Sequence, residues 1–237
     1  MSQSDSPSAQ NIFNISDSSI TNLTGSGSIH YNKEIQGAQT QNSPAASQAS
    51  TAKTILFLAA NPKDTYRLRL DEEMREIEAG LQRAKRRDQF VLQQRWAVRT
   101  RDIQRALLDF KPQIVHFSGH GGGEEGLLLE DETGTSKLVN TEALAGLFEL
   151  FSECLECVVL NACYSKVQTE AIVRHIPYVI GMSQAIGDKA AIEFAVGFYD
   201  ALGAGESIEF AYKLGCNNIH MAGIPEHLTP VLKNKST

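Results

Sequence analysis

Ile114-Val-His-Phe-Ser-Gly-His-Gly-Gly-Gly123 and Val158-Val-Leu-Asn-Ala-Cys-Tyr-Ser165 decide the reading of this chain. Each begins as a short apolar run of strand length and ends in glycine or in side chains able to do chemistry. Working outward, Thr54-Ile-Leu-Phe-Leu-Ala-Ala60 is a third apolar run, closed by Asn61-Pro62. Leu70, Met74, Ile77 and Leu81 then recur at helical spacing. Asp71, Glu72 and Glu73 stand in that helix's first turn and Arg83, Lys85, Arg86 and Arg87 at its end, as the macrodipole favours. The spacing predicts a strand over 90–98, a helix over 101–110 and a hairpin pairing Leu127-Leu-Leu with Lys137-Leu-Val. A helix capped by Asn140 or Thr141 follows, then a strand over 177–182 and closing helices over 188–202 and 207–221. Strands alternating with helices predict an α/β fold: three layers, α/β/α, around a mostly parallel sheet covered on both faces.

In such sheets the reactive site lies off the carboxyl ends of the strands. If the strands ending at 118 and 161 are neighbours, His120 and Cys163 project from adjacent tips. A thiol beside an imidazole is a nucleophile–base pair, because the thiolate attacks and the imidazole takes its proton. The glycines after His120 let backbone N–H groups approach a substrate carbonyl, so the amides of Gly121 and Cys163 are candidates for an oxyanion hole.

At these residues the chain resembles the caspase–separase clan and, more narrowly, the bacterial CHAT domains. His116-Phe-Ser-Gly-His-Gly121, Leu160-Asn-Ala-Cys-Tyr-Ser165, Val179-Ile-Gly-Met182 and Asp188-Lys-Ala-Ala-Ile-Glu-Phe194 carry the likeness over residues 54–222. The resemblance implies a caspase-like fold and peptide-bond hydrolysis by a Cys–His dyad without metal or cofactor. It also implies a place in bacterial defence or cell death. Two residues before the cysteine, metacaspase-like enzymes carry an acid and caspases glutamine; here Asn161 stands there, so the specificity pocket does not carry over.

Two readings of that pocket stay open. Asp188 follows the fifth strand, where it is either the N-cap of the next helix or the partner of a basic P1 side chain. Arg67 and Arg69, after the first strand, are placed to read an acidic P1 instead, through bidentate contacts. The resemblance tilts the expectation toward a basic P1. The other motifs have plainer readings. Cys154 and Cys157 form a lone C-x-x-C whose second member opens an apolar strand, so they are structural. Gly121-Gly-Gly-Glu-Glu-Gly126 matches G-x-G-x-x-G but leads into a hairpin rather than a helix, which excludes dinucleotide binding. His116 falls within its strand as a core or supporting residue.

Residues 1–53 differ in composition, being rich in Ser, Gln, Asn and Thr. Residues 1–35 read as a low-complexity segment, 36–53 as a linker, 54–222 as the peptidase domain and 223–237 as a tail. Within the first, residues 11–32 space Phe13, Ile15, Ile20, Leu23, Ile29 and Tyr31 like short strand pieces of low charge, and resemble amyloid-like signalling segments of bacterial immune proteins. They imply homotypic assembly or recruitment by a sensor. The formal charge of −6 argues against nucleic acid or an anionic membrane as partner, leaving a protein substrate. With no apolar run of membrane length and no basic, apolar leader, the expected location is cytoplasmic. The rival expectations are an inactive scaffold of the same fold and a filament-forming adaptor.

Overall fold

The side chains of the first strand, β1 (Lys53–Ala59), alternate between two apolar layers. Ile55, Phe57 and Ala59 join one; Leu56, Leu58 and the following Ala60 join the other. An unbroken apolar run is what a strand buried on both faces requires. The computed structural model describes residues 52–235; the expectations for the segment 1–35, its motif at 11–32 and the linker up to residue 51 fall outside the described residues.

After β1 come α1 (Leu70–Arg83), β2 (Phe90–Arg95), α2 (Thr100–Phe110), β3 (Ile114–Ser118), β4 (Gly126–Glu130), β5 (Ser136–Asn140), α3 (Thr141–Glu149) and β6 (Cys157–Asn161). The chain closes with α4 (Lys166–Ile172), β7 (Tyr178–Met182), α5 (Asp188–Ala204), α6 (Ile208–Met221) and β8 (Pro230–Asn234). Six strands form one sheet in the order β2-β1-β3-β6-β7-β8, parallel throughout except for β8, and β4 and β5 form a separate antiparallel hairpin. Residues of α1, α5 and α6 fill the core on one face and residues of α2, α3 and α4 fill it on the other. The expected three-layer α/β/α architecture is therefore present.

Strand order places the site. The connection from β1 to β2 passes through α1 on one face, and that from β2 to β3 through α2 on the opposite face. The chain thus changes direction between β1 and β3, and crevices form outside the carboxyl ends at such a point.

Several local expectations are refined. Asn140 is the cap of α3, its Oδ1 accepting the Ala143 N–H at 2.8 Å. β2 stops at Arg95 rather than running to Val98, because Ala97 takes a left-handed conformation with φ 52°. α4 and β8 had no sequence counterpart. The stretch 223–237 contains β8, which pairs antiparallel with β7 over Tyr178–Met182. Its opening proline is tolerated because β8 is an edge strand, and its mixed sequence, Pro-Val-Leu-Lys-Asn, lacks the apolar signature of a central one.

Candidate active site

The two reactive turns lie at matching heights on neighbouring strands. β3 and β6 pair in register with Ser118 opposite Asn161. His120 and Cys163 each stand two residues beyond that pair. The ladder extends one step further, with the Gly119 N–H donating to the Asn161 carbonyl at 3.3 Å. Gly121 then lies directly against the backbone of Cys163: a Cβ placed on it would fall 1.8 Å from the Cys163 carbonyl oxygen. Only glycine fits there, so the two turns are locked together through a missing side chain.

The turn after β6 is fastened from below. Ser165 is fully buried, donates to the Leu160 carbonyl at 2.9 Å and accepts the Met182 N–H from β7 at 2.8 Å. Tyr164, next to the cysteine, holds a left-handed φ of 57° and donates its N–H to Gln184. A bulky residue in that region is a local strain of the kind found where a side chain must be presented.

His120, Cys163, Asn161, Asp188 and Arg69 line one cleft. Its floor is a carboxylate that the sequence reading assigned only to the helix dipole. Glu73 is 2% exposed and accepts from the His116 Nε2 at 2.9 Å, from the Asn161 Nδ2 at 2.7 Å and from the Ser118 hydroxyl. The His116 Nδ1 lies 3.1 Å from the Tyr199 hydroxyl, whose proton burial holds well above the ordinary titration range. The His116 ring is thereby held between the Tyr199 hydroxyl and Glu73, with its Nε2 proton aimed at the carboxylate. One carboxylate on α1 thus ties the tips of both β3 and β6. A signal for it existed in the sequence: Glu73 lies three residues after Leu70 and four before Ile77, on the apolar stripe of its helix.

With its Nδ2 bonded to Glu73 and to the Ala191 carbonyl, Asn161 keeps a buried Oδ1 with no partner among the described residues. Asp188 is not the cap of α5; Gly187 occupies that place, and Asp188 is the first helical residue. Burial raises its carboxyl above the usual range, opposed by the backbone N–H and guanidinium of Arg69. Arg69 is ion-paired with Glu72 at the surface. Arg67 is not in the cleft; it lines a separate hollow beyond Leu68.

The reactive groups rest on other partners. The His120 Nε2 donates to the Tyr66 carbonyl at 2.6 Å, and the Cys163 Sγ accepts the Ile186 N–H at 3.4 Å. Neither hydrogen-bonds the other among the described residues. The cleft holds about 30 Å³ in this state, room for little more than one water. The N–H groups of Gly121 and Cys163 donate to no backbone or side-chain acceptor among the described residues.

Cys154 and Cys157 fall in different layers: the fully buried Cys157 belongs to the α1/α5/α6 core, and Cys154 packs on the opposite core and donates to the Phe151 carbonyl. Burial drives the Cys157 thiol far above its ordinary range. No group of three or more His, Cys, Asp or Glu suited to a metal ion occurs among the described residues, and none of their helices is long and apolar enough to cross a membrane. The G-x-G-x-x-G stretch runs through a short 3-10 turn into β4, as the hairpin reading expected.

A "Probable protease" of Gillisia limnaea is 28% identical over 172 residues, 70% of this chain and 30% of that protein. A "Roc-COR-CHAT protease" from an unknown prokaryotic organism is 25% identical over 180 residues, 73% of this chain and 17% of that one. The chain thus spans under a third of the length of these curated relatives. Among solved structures, the Drosophila initiator caspase Dronc aligns at 9% identity and a TM-score of 0.49, covering 90% of this chain and 94% of its own. The CHAT domain matches residues 22–212, four fifths of the sequence, so the chain belongs to the CHAT-domain family.

Proposed function

We propose that this protein is a cysteine endopeptidase that cleaves after a basic residue. The observation that carries the reading is the contact of Gly121 with the Cys163 carbonyl, which holds a histidine and a cysteine turn against each other at one cleft. In the proposed reaction the Cys163 thiol gives its proton to His120 as sulfur bonds to the scissile carbonyl carbon. The resulting oxyanion lies against the unengaged N–H groups of Gly121 and Cys163. The carbon–nitrogen bond breaks as His120 passes that proton to the leaving amine. Water then adds to the thioester, giving a proton back through His120 and releasing acid and thiol.

A basic P1 is supported by what the cleft offers a side chain. Glu73, the free Oδ1 of Asn161 and Asp188 are all acceptors, and Arg69, the one lysine or arginine among the described residues that line the cleft, is engaged by Glu72. A guanidinium or ammonium brings donors and no acceptors, matching that lining. On the family resemblance, cleavage serves an effector step in bacterial defence or cell death, with residues 11–32 recruiting the domain to a sensor or to copies of itself.

The resting contacts favour a second reading. With the His120 Nε2 on Tyr66, Cys163 on Ile186 and a cleft too small for a lysine, the fold also suits an inactive scaffold. Short peptides ending in arginine, glutamate or leucine before a fluorogenic amide separate the two. The peptidase reading expects hydrolysis of the arginine substrate by the full chain, lost by at least about 1,000-fold in Cys163→Ala and in His120→Ala. Hydrolysis that survives Cys163→Ala excludes Cys163 as the nucleophile, and none by the full chain on any peptide leaves the scaffold reading standing.

A further inference from the structure

Beyond the cleft, the carboxyl edge of the sheet carries a second, larger depression. It holds about 260 Å³ against the cleft's 30 Å³, and it is formed by the end of β1 and the loops that follow β1 and β2. Leu68 and Leu70 line both spaces, so they form a shared wall and not a barrier of other chain. Asn61 shapes the near side, bonding the Leu68 carbonyl through Nδ2 at 3.0 Å and the Leu68 N–H through Oδ1 at 3.2 Å. At the far side stands Trp96.

Trp96 is an unusual residue to leave in water. It is 45% exposed, yet its ring is held in place: Nε1–H donates to the Gln94 Oε1 at 2.7 Å, and the ring packs on Phe57 with centroids 5.9 Å apart. The left-handed Ala97 after it turns the chain so that the indole stays at the rim. A large aromatic group fixed in advance and incompletely covered is a common anchor for a binding partner, because little conformational freedom remains to be lost.

The direction of the reaction says which partner. His120 protonates the leaving amine, so the chain beyond the scissile bond departs on the His120 side. From Cys163 on β6, that side runs over β3, then β1, then β2, the order of the sheet. The Ile186–Asp188 loop follows β7, which flanks β6 on the other side, and the P1 side chain enters the cleft between that loop and α1. Three strand spacings of about 4.8 Å place the β2 tip roughly 14 Å from Cys163, which an extended peptide covers in about four residues.

We infer that the hollow faced by Trp96 is a subsite for the leaving half of the substrate, taking an aromatic side chain about four residues past the scissile bond. This rests on the peptidase reading, and the test separates the two. Wild type and Trp96→Ala are compared on an arginine peptide ending in a fluorogenic amide and on internally quenched peptides that continue beyond arginine, with phenylalanine or glycine at the fourth position. The expected result is that phenylalanine raises wild-type kcat/KM about tenfold over glycine, and that Trp96→Ala abolishes this preference. The ratio of extended to dye-terminated rates should fall by the same factor. In the Cys163→Ala background, fluorescence anisotropy with the phenylalanine peptide reads the same subsite without turnover, and adding Trp96→Ala there should weaken binding about tenfold. Equal rates for phenylalanine and glycine in wild type, or binding that ignores Trp96, overturn the inference. Trp96-dependent binding without cleavage by any form would preserve the subsite and reject the peptidase. If Trp96→Ala changes only the sedimentation of the chain, the face joins copies of the protein and the subsite is rejected.

Discussion

The two faces of the sheet are built from the same strands but to different rules. The face under α2, α3 and α4 is apolar where it meets β1, β3 and β6, through Leu56, Leu58, Val115, Phe117, Val158 and Leu160. The face under α1, α5 and α6 alternates with it along the same strands, and near the carboxyl ends it turns polar at His116, Ser118 and Asn161. Strand periodicity continues that face to positions 120 and 163. Supporting network and reactive pair thus share one side by parity. An apolar face needs only volume, whereas the polar face needs each donor to find its acceptor, and all three converge on Glu73. The difference separates what holds the sheet from what aims its tips.

The hardest way to break that separation is to push the tips apart. Gly121→Ala puts a methyl group where the Cys163 carbonyl already lies, so one turn must shift by more than an ångström. Displacements of that size cost catalysis about 100-fold or more. Activity on the arginine peptide should fall by at least that factor, while circular dichroism still reports the α/β fold. Wild-type rates in Gly121→Ala would show that the contact between the turns does not govern the site.

A matched pair of core truncations sharpens the contrast between faces. Glu73→Ala strands three buried donors, and Leu107→Ala on the opposite face leaves a cavity; each should cost about 3 kcal/mol, or roughly 6–12 °C in Tm for a domain of this size. Activity per folded molecule, measured well below both midpoints, should then diverge. Leu107→Ala should stay within about twofold of wild type, and Glu73→Ala should lose about tenfold or more. Equal losses would make the Glu73 network merely structural.

What the sequence made legible follows the same division. Apolar runs at strand length and a helical stripe at 70–81 revealed the layers, and glycine after His120 together with a cysteine past a strand end revealed the tips. These signals are local, each carried by a few adjacent residues. Glu73 was missed as a site residue because its role depends on donors 43, 45 and 88 positions away. An acid in the first turn of a helix has a sufficient local explanation in the dipole, and only its place on the apolar stripe contradicted that. β8 escaped for a related reason: an edge strand needs only one partner, so Pro-Val-Leu-Lys-Asn carries no periodic signature. Asp188 looked like a cap because it precedes a helix, yet the backbone starts the helix one residue earlier and frees the carboxylate for the cleft.

That freedom has a smaller and pH-dependent consequence. Burial raises the Asp188 carboxyl in the folded protein above its unfolded value. A carboxyl raised in this way binds its proton more tightly when folded, so its contribution is fully present below the unfolded value and is lost as pH rises through the folded one. Asp188→Asn removes the ionisation. The variant should therefore melt at a higher temperature than wild type near pH 7, by a degree or a few, and the two curves should converge as pH falls below the ordinary carboxylate range. On the arginine peptide the same variant should raise KM more than it lowers kcat, because the lost contact is with the bound side chain and not with the reacting carbonyl. A variant that gains stability while losing affinity for a basic side chain is the signature of a charge kept for binding. If Asp188→Asn instead melts earlier at every pH, the carboxylate stabilises the start of α5, and the P1 reading loses its acid at the rim.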